Sequence, residues 1–161
     1  MNELPEGVAK GTVGELLVQL RLLLLGVQAA PPLKDSGNDL IAIRRQHFRA
    51  IQVKTRTWVD GRVDIGTIEV DYHILALVLI DPQATGVPFQ LDRCRVFLVP
   101  RERVNGRYLS LDALHEWELS PSTIERLFTA VPATQPNYRM QATAGGLRDA
   151  RSSRRTRARR T

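Results

Sequence analysis

The chain has 161 residues, charged and hydrophobic fractions of 25% and 43% that are ordinary for a folded protein, and one cysteine, Cys94. That length suffices for one domain with its own core. A lone cysteine excludes an internal disulfide and a multi-cysteine zinc site, so a reducing, cytoplasmic setting is expected. The net charge of +6 is not spread evenly: Arg148, Arg151, Arg154, Arg155, Arg157, Arg159 and Arg160 face a single acid, Asp149, and account for all of it, leaving a near-neutral body.

Residues 1–7 carry Glu3 and Glu6 where an export signal would carry basic residues, and read as an N-terminal extension. Residues 8–25 then repeat leucine at helical spacing, through Leu16, Leu17, Leu20, Leu23 and Leu24, and Gly26 stops the helix. The apolar stripe is wide, so this helix is expected to be largely buried. The run Leu22-Leu23-Leu24-Leu25 is far short of the about 20 apolar residues that span a bilayer, so no membrane partner is expected.

Residues 27–30 form a short strand ended by Pro31-Pro32, and residues 34–38 are turn-like. Residues 39–45 read as a strand, Gln46-His47 as a reversal, and residues 48–57 as a second strand. Alternation puts Ile51 and Val53 on one face of that strand and Ala50, Gln52 and Lys54 on the other. Asp60-Gly61 is a hairpin signal, residues 62–70 are weakly extended, and residues 74–80 have the continuous apolar character of a fully buried strand. A strand over 95–99, a helix over 110–119 and a helix from Pro121, capped by Ser120, to about residue 131 complete the domain, taken as 8–131. Beyond residue 132 the periodicity is lost. Residues 132–161 read as a linker and a disordered, Arg-rich tail. The order implies a mixed α/β domain with a small central sheet flanked by helices.

Four residues carry chemistry in this arrangement. Gln52 and Lys54 lie two apart on one strand and project from one face. A tight turn pairs their strand with the one that Asp39 begins, which brings its carboxylate beside them. Glu15 rides on a helix that must pack against the sheet. Two acids, an amide oxygen and the Val53 carbonyl can then ring a small volume suited to a hard cation, Mg²⁺ or Mn²⁺. Phosphodiester hydrolysis needs such a cation to activate water, and a lysine ammonium to oppose the charge that builds on phosphate.

Bland readings exist for each residue. Thr12-Val13-Gly14-Glu15 matches a capping box for a helix starting at Thr12. Asp39 can end an Asx-rich turn, and Gln52 with Lys54 can be a solvent-facing pair. His47, His73 and His115 sit on separate elements and are assigned to packing or surface, Cys94 to a buried or edge position, and Trp58 and Trp117 to the core.

Taken together, Gly11-Thr12-Val13-Gly14-Glu15, Asn38-Asp39-Leu40-Ile41 and Ile51-Gln52-Val53-Lys54-Thr55 resemble the PD-(D/E)XK nuclease superfamily. More narrowly they resemble its Gln-x-Lys branch, which includes a homing-endonuclease type; archaeal Holliday-junction resolvases are more distant. The resemblance spans roughly residues 10–100. It implies a restriction-endonuclease-like core, with Asp39 as central metal ligand, Glu15 as a helix-borne acid, Lys54 as catalytic lysine and Gln52 in the place of the usual second acid. The sequence departs from the pattern in having no proline directly before Asp39 and a neutral amide at position 52. A metal-dependent DNA endonuclease follows as the expectation, acting on duplex or branched DNA. A homodimer would match the need to cut two strands. The alternative is a nucleic-acid-binding module without turnover, or a protein-interaction domain on the same scaffold. The tail arginines, Lys10, Lys34 and Arg56 are the expected nucleic-acid contacts.

Overall fold

The computed structural model describes residues 6–34, 37–81 and 90–129, with the side chains of residues 6–8 left aside. The linker and arginine-tail expectations fall outside the described residues.

Helix α1, Glu6–Leu24, ends as the glycine predicts. Gly26 takes φ 73°, and the N–H groups of Gly26 and Val27 return to the Leu23 and Leu22 carbonyls at 3.0 and 2.9 Å. This doubled closure satisfies the carbonyls that a helix end otherwise leaves bare. Because α1 begins at Glu6, Thr12 lies inside it, and the capping-box reading of Glu15 fails. The expectation of a largely buried helix also fails. Leu17, Val18 and Leu22 are buried, whereas Leu16, Leu20, Leu23 and Leu24 are half or more exposed. One face of α1 meets the sheet, and nothing among the described residues covers the other.

A five-stranded mixed sheet forms in the order β1-β2-β3-β5-β6, within the mixed α/β class expected. Its strands are β1 (Gln28–Ala30), β2 (Leu40–Arg44), β3 (His47–Arg56), β5 (Ile74–Leu79) and β6 (Arg95–Pro100). The β2–β3 reversal falls on Arg45-Gln46, one residue earlier than expected, because Arg44 pairs with His47. Strand β5 is buried at all six positions, so both faces of the sheet are covered there. Burying such leucines and isoleucines contributes about 1.5–3 kcal/mol each before entropy is counted.

Asp60 and Gly61 both have positive φ, 48° and 70°, which defines the tight turn the dipeptide predicts. Extended structure over 62–70 is limited to β4 (Arg62–Asp64). That strand leaves the main sheet and pairs instead with β7 (Tyr108–Ser110). The helix expected over 110–119 is only α2 (Leu111–Leu114), followed by a 3₁₀ turn at His115–Trp117. Glu118 there turns extended and bridges to Phe97 of β6, which a continuous helix would prevent.

Helix α3, Pro121–Thr129, is capped by Ser120, whose Oγ accepts the Thr123 N–H at 3.2 Å. Arg49 ties α3 to β3. Its Nε donates to the Leu127 carbonyl at 2.9 Å, and its guanidinium lies 5.8 Å from the Phe128 ring centre. A cation placed in the last turn of a helix also complements the helix dipole.

Candidate functional site

Strand β3 changes partners midway. Antiparallel pairing with β2 covers His47 to Ile51, and parallel pairing with β5 covers Ile51 to Arg56. The Ala50 and Arg56 carbonyls accept the His73 and Ile80 N–H groups, so the even-numbered peptides of β3 turn toward β5. The odd-numbered ones turn toward β2. Past Ile51, β2 is no longer there to receive them. Asp39 stands at that point. Its N–H donates to the Ile51 carbonyl at 3.2 Å, and its carboxylate Oδ2 accepts the Val53 N–H at 2.6 Å. The carboxylate thus replaces the missing strand, and the Val53 carbonyl remains outside the ladder.

Gln52 Nε2 donates to the same Asp39 oxygen at 2.6 Å. Lys54 follows at the next position of equal parity. From the other wall α1 brings Glu15, one turn beyond Gly11. Together Lys10, Gly11, Glu15, Asp39, Gln52, Val53, Lys54, Thr55 and Arg56 line a cavity of about 380 Å³. Helix and strand approach closely because residue 14 has no side chain: a Cβ there would sit 1.9 Å from Thr55 Oγ1.

The site has unmet electrostatic demand. Burial, and then the Asp39 carboxylate, push the Glu15 carboxyl above its ordinary range. Among the described residues, three buried side-chain oxygens lack a hydrogen-bond partner: Asn38 Oδ1, Gln52 Oε1 and Thr55 Oγ1. Two of them belong to cavity-lining residues and the third adjoins Asp39. Buried acceptors without partners are uncommon, and their grouping at one place marks it. Lys54 is half-buried yet forms no ion pair among the described residues.

These residues fit a hard divalent cation. The Glu15 and Asp39 carboxylates, an unpartnered amide oxygen and a carbonyl outside the ladder are all oxygen donors. The set is not a conventional acidic cluster, since no group of three His, Cys, Asp or Glu suited to a metal occurs among the described residues.

Of the basic residues expected to meet nucleic acid, Lys10 and Arg56 line the cavity. Lys34 is exposed but is not among the lining residues, and the seven tail arginines lie outside the described residues. Arg44 is paired with Glu125. His73 is structural: its Nδ1 accepts the Ala50 N–H at 2.9 Å. Cys94 and Trp117 are buried, and Trp58 packs partly against the core. Thr55 and Gly14 were not singled out as site residues. Both stand within the motifs that suggest the site, but only the close approach of helix to strand reveals their contact.

No family model and no curated protein matches the chain. Among solved structures it is similar to a bacterial homing endonuclease, with 19% identity and a TM-score of 0.48 over 66% of this chain and 75% of that one. It is also similar to Hjc, a Holliday junction resolvase from the hyperthermophilic archaeon Archaeoglobus fulgidus. There the identity is 16% and the TM-score 0.46, over 71% of this chain and 94% of that one. No helix among the described residues is long and apolar enough to cross a membrane.

Proposed function

We propose that the chain is a metal-dependent DNA endonuclease that hydrolyses phosphodiester bonds. One observation carries this reading: Glu15 of α1, Gln52 and Lys54 of β3, and Asp39 just before β2 line a single cavity where β3 loses its partner β2. Asp39 is the central anion, held by the Val53 N–H and Gln52 Nε2. Glu15 supplies the second carboxylate, and Gln52 Oε1 with the Val53 carbonyl complete an oxygen donor set for Mg²⁺ or Mn²⁺. The bound cation supplies Lewis acidity and a water of lowered pKa. Lys54, paired with no carboxylate among the described residues, opposes the negative charge developing on the phosphate and orients the attacking water. Lys10 and Arg56 at the rim hold flanking phosphates.

The test is incubation of the full chain with plasmid and with branched DNA in Mg²⁺ or Mn²⁺. Cleavage should be lost in EDTA and reduced at least about a hundredfold in Asp39→Ala and Lys54→Ala, the scale on which electrostatic groups act. No cleavage of either DNA with either cation would overturn the reading.

A second reading, a nucleic-acid-binding module without turnover, has one feature in its favour: the neutral amide at position 52 leaves two carboxylates where a cation would gain from three. Gln52→Glu separates the two. A variant that tightens Mn²⁺ binding in calorimetry and creates cleavage absent from the natural chain would establish the inactive module.

A further inference from the structure

A second and larger cavity, about 780 Å³, opens beside the first and shares Arg56 with it. Its walls come from the Asp60-Gly61 turn, from β4 and from β7, the small sheet that has left the main one. Resting on the nuclease reading, we propose that this cleft seats one unpaired nucleotide flanking the scissile phosphate, its base against Tyr108 and its phosphate between Arg56 and Arg62. The substrate would then be DNA with an unpaired strand beside the cut, such as an overhang, flap or branch.

Volume comes first. The cavity lies within the range of small-molecule pockets and can hold a nucleotide, but a base still paired in a duplex cannot enter it. Chemistry follows. Tyr108 is 56% exposed and Val59 70% exposed, a combination that leaves an aromatic and an aliphatic side chain in water at the cleft wall. The Arg107 guanidinium lies 5.6 Å from the Tyr108 ring centre, which extends the ring into a platform of the kind on which bases stack.

The charges are sorted as well. Asp64 is committed: Arg107 grips its two oxygens, with contacts of 2.6 to 3.0 Å, and the Gly66 N–H adds a third donor at 2.8 Å. These bonds hold its carboxyl down at about 2, so it stays a partner of Arg107. Arg56 is held in place from two sides, donating to the Asp64 and Thr55 carbonyls at 3.0 and 2.9 Å. Arg62 is exposed and pairs with no carboxylate among the described residues. Arg56 therefore stands where the two cavities meet, and the exposed Tyr108 ring stands on the β7 wall. The Arg107–Asp64 clamp and the β4–β7 pairing fix both before any ligand arrives.

The experiment measures binding of the full chain, in EDTA to prevent cleavage, by anisotropy of a blunt duplex and of the same duplex with a single-stranded overhang. The ratio of the two affinities cancels any sequence-independent contribution from the tail. The wild type should prefer the overhang about tenfold or more. Tyr108→Ala and Arg62→Ala should each lower overhang affinity about tenfold with the duplex affinity and melting temperature unchanged, and Tyr108→Phe should restore stacking. A 2-aminopurine in the overhang should be quenched by wild type and not by Tyr108→Ala. No overhang preference, or a preference indifferent to Tyr108, would overturn the proposal, as would a free deoxynucleoside monophosphate binding as tightly as the overhang. Failure of the nuclease reading is separate: an intact overhang preference without cleavage in Mn²⁺ would sink that reading and leave the cleft standing.

Discussion

At the scale of single residues, Glu15 is the member of the candidate site whose ionisation burial disfavours. Its carboxyl is raised chiefly by burial and then by Asp39. A raised acid stabilises the fold in its protonated form, and that stabilisation is present below the ordinary carboxylate range and lost as pH climbs through the raised value. Without a divalent cation, wild-type stability should therefore fall as pH rises out of the ordinary carboxylate range and through the raised value. Glu15→Gln removes the ionisation. It should melt higher than wild type at neutral pH, with the gap closing in acid and also on adding Mn²⁺ to the wild type. Differential scanning fluorimetry across pH 4 to 8 reads all three effects. Equal melting curves at every pH would mean Glu15 carries no strain, and would remove a reason for a cation at that place.

Secondary-structure elements explain what could and could not be read from the chain. That the residues of the candidate site share one cavity was legible because each sits at a position that local rules identify: Gln52 and Lys54 by strand parity, Asp39 by its place at the head of a strand. The partner exchange of β3 was not legible, since it depends on where β2 happens to end. The exposed leucines of α1 misled for the same reason, because periodicity reports an apolar face but not whether anything covers it. Gly14 is a third case, a glycine inside a helix whose use appears only across the gap to Thr55. Gly14→Ala would place a methyl 1.9 Å from Thr55 Oγ1 and 3.2 Å from its Cβ. The β-branched Thr55 has little room to rotate, so α1 must shift away from β3. We expect a loss of about 1–3 kcal/mol in urea unfolding, and Glu15 should move with the helix. Thr55→Ala removes the nearer atom and should recover much of the loss in the double variant. Simple additivity of the two substitutions would show that helix and strand are not in the contact described.

Across the whole molecule, the α/β class, the succession of the main strands along the chain and the burial of β5 followed from apolar patterning, whereas the small sheet of β4 and β7 did not. Its strands are three residues each, too short for alternation to declare itself, and they are brought together across 43 intervening positions, from Asp64 to Tyr108. Charge is the other whole-molecule property. The excess of +6 resides entirely after residue 147, and the body has as many acids as cations. A near-neutral body attracts a polyanion only through local groups such as Lys10 and Arg56, whereas seven arginines in fourteen residues can neutralise phosphates wherever they land. Removing residues 147–161 should therefore weaken DNA binding by orders of magnitude at low salt. The slope of log affinity against log salt should flatten by about five, since about 0.9 counterions are released per phosphate neutralised. Cleavage at saturating DNA should persist, because Asp39, Gln52 and Lys54 are untouched, and so should the overhang preference, which belongs to the cleft. Titrations at several salt concentrations test each part. If the shortened chain keeps its salt slope, the tail makes no phosphate contacts, and the cations that hold DNA must be those of the two cavities, where Arg56→Ala would then produce the loss expected of the truncation.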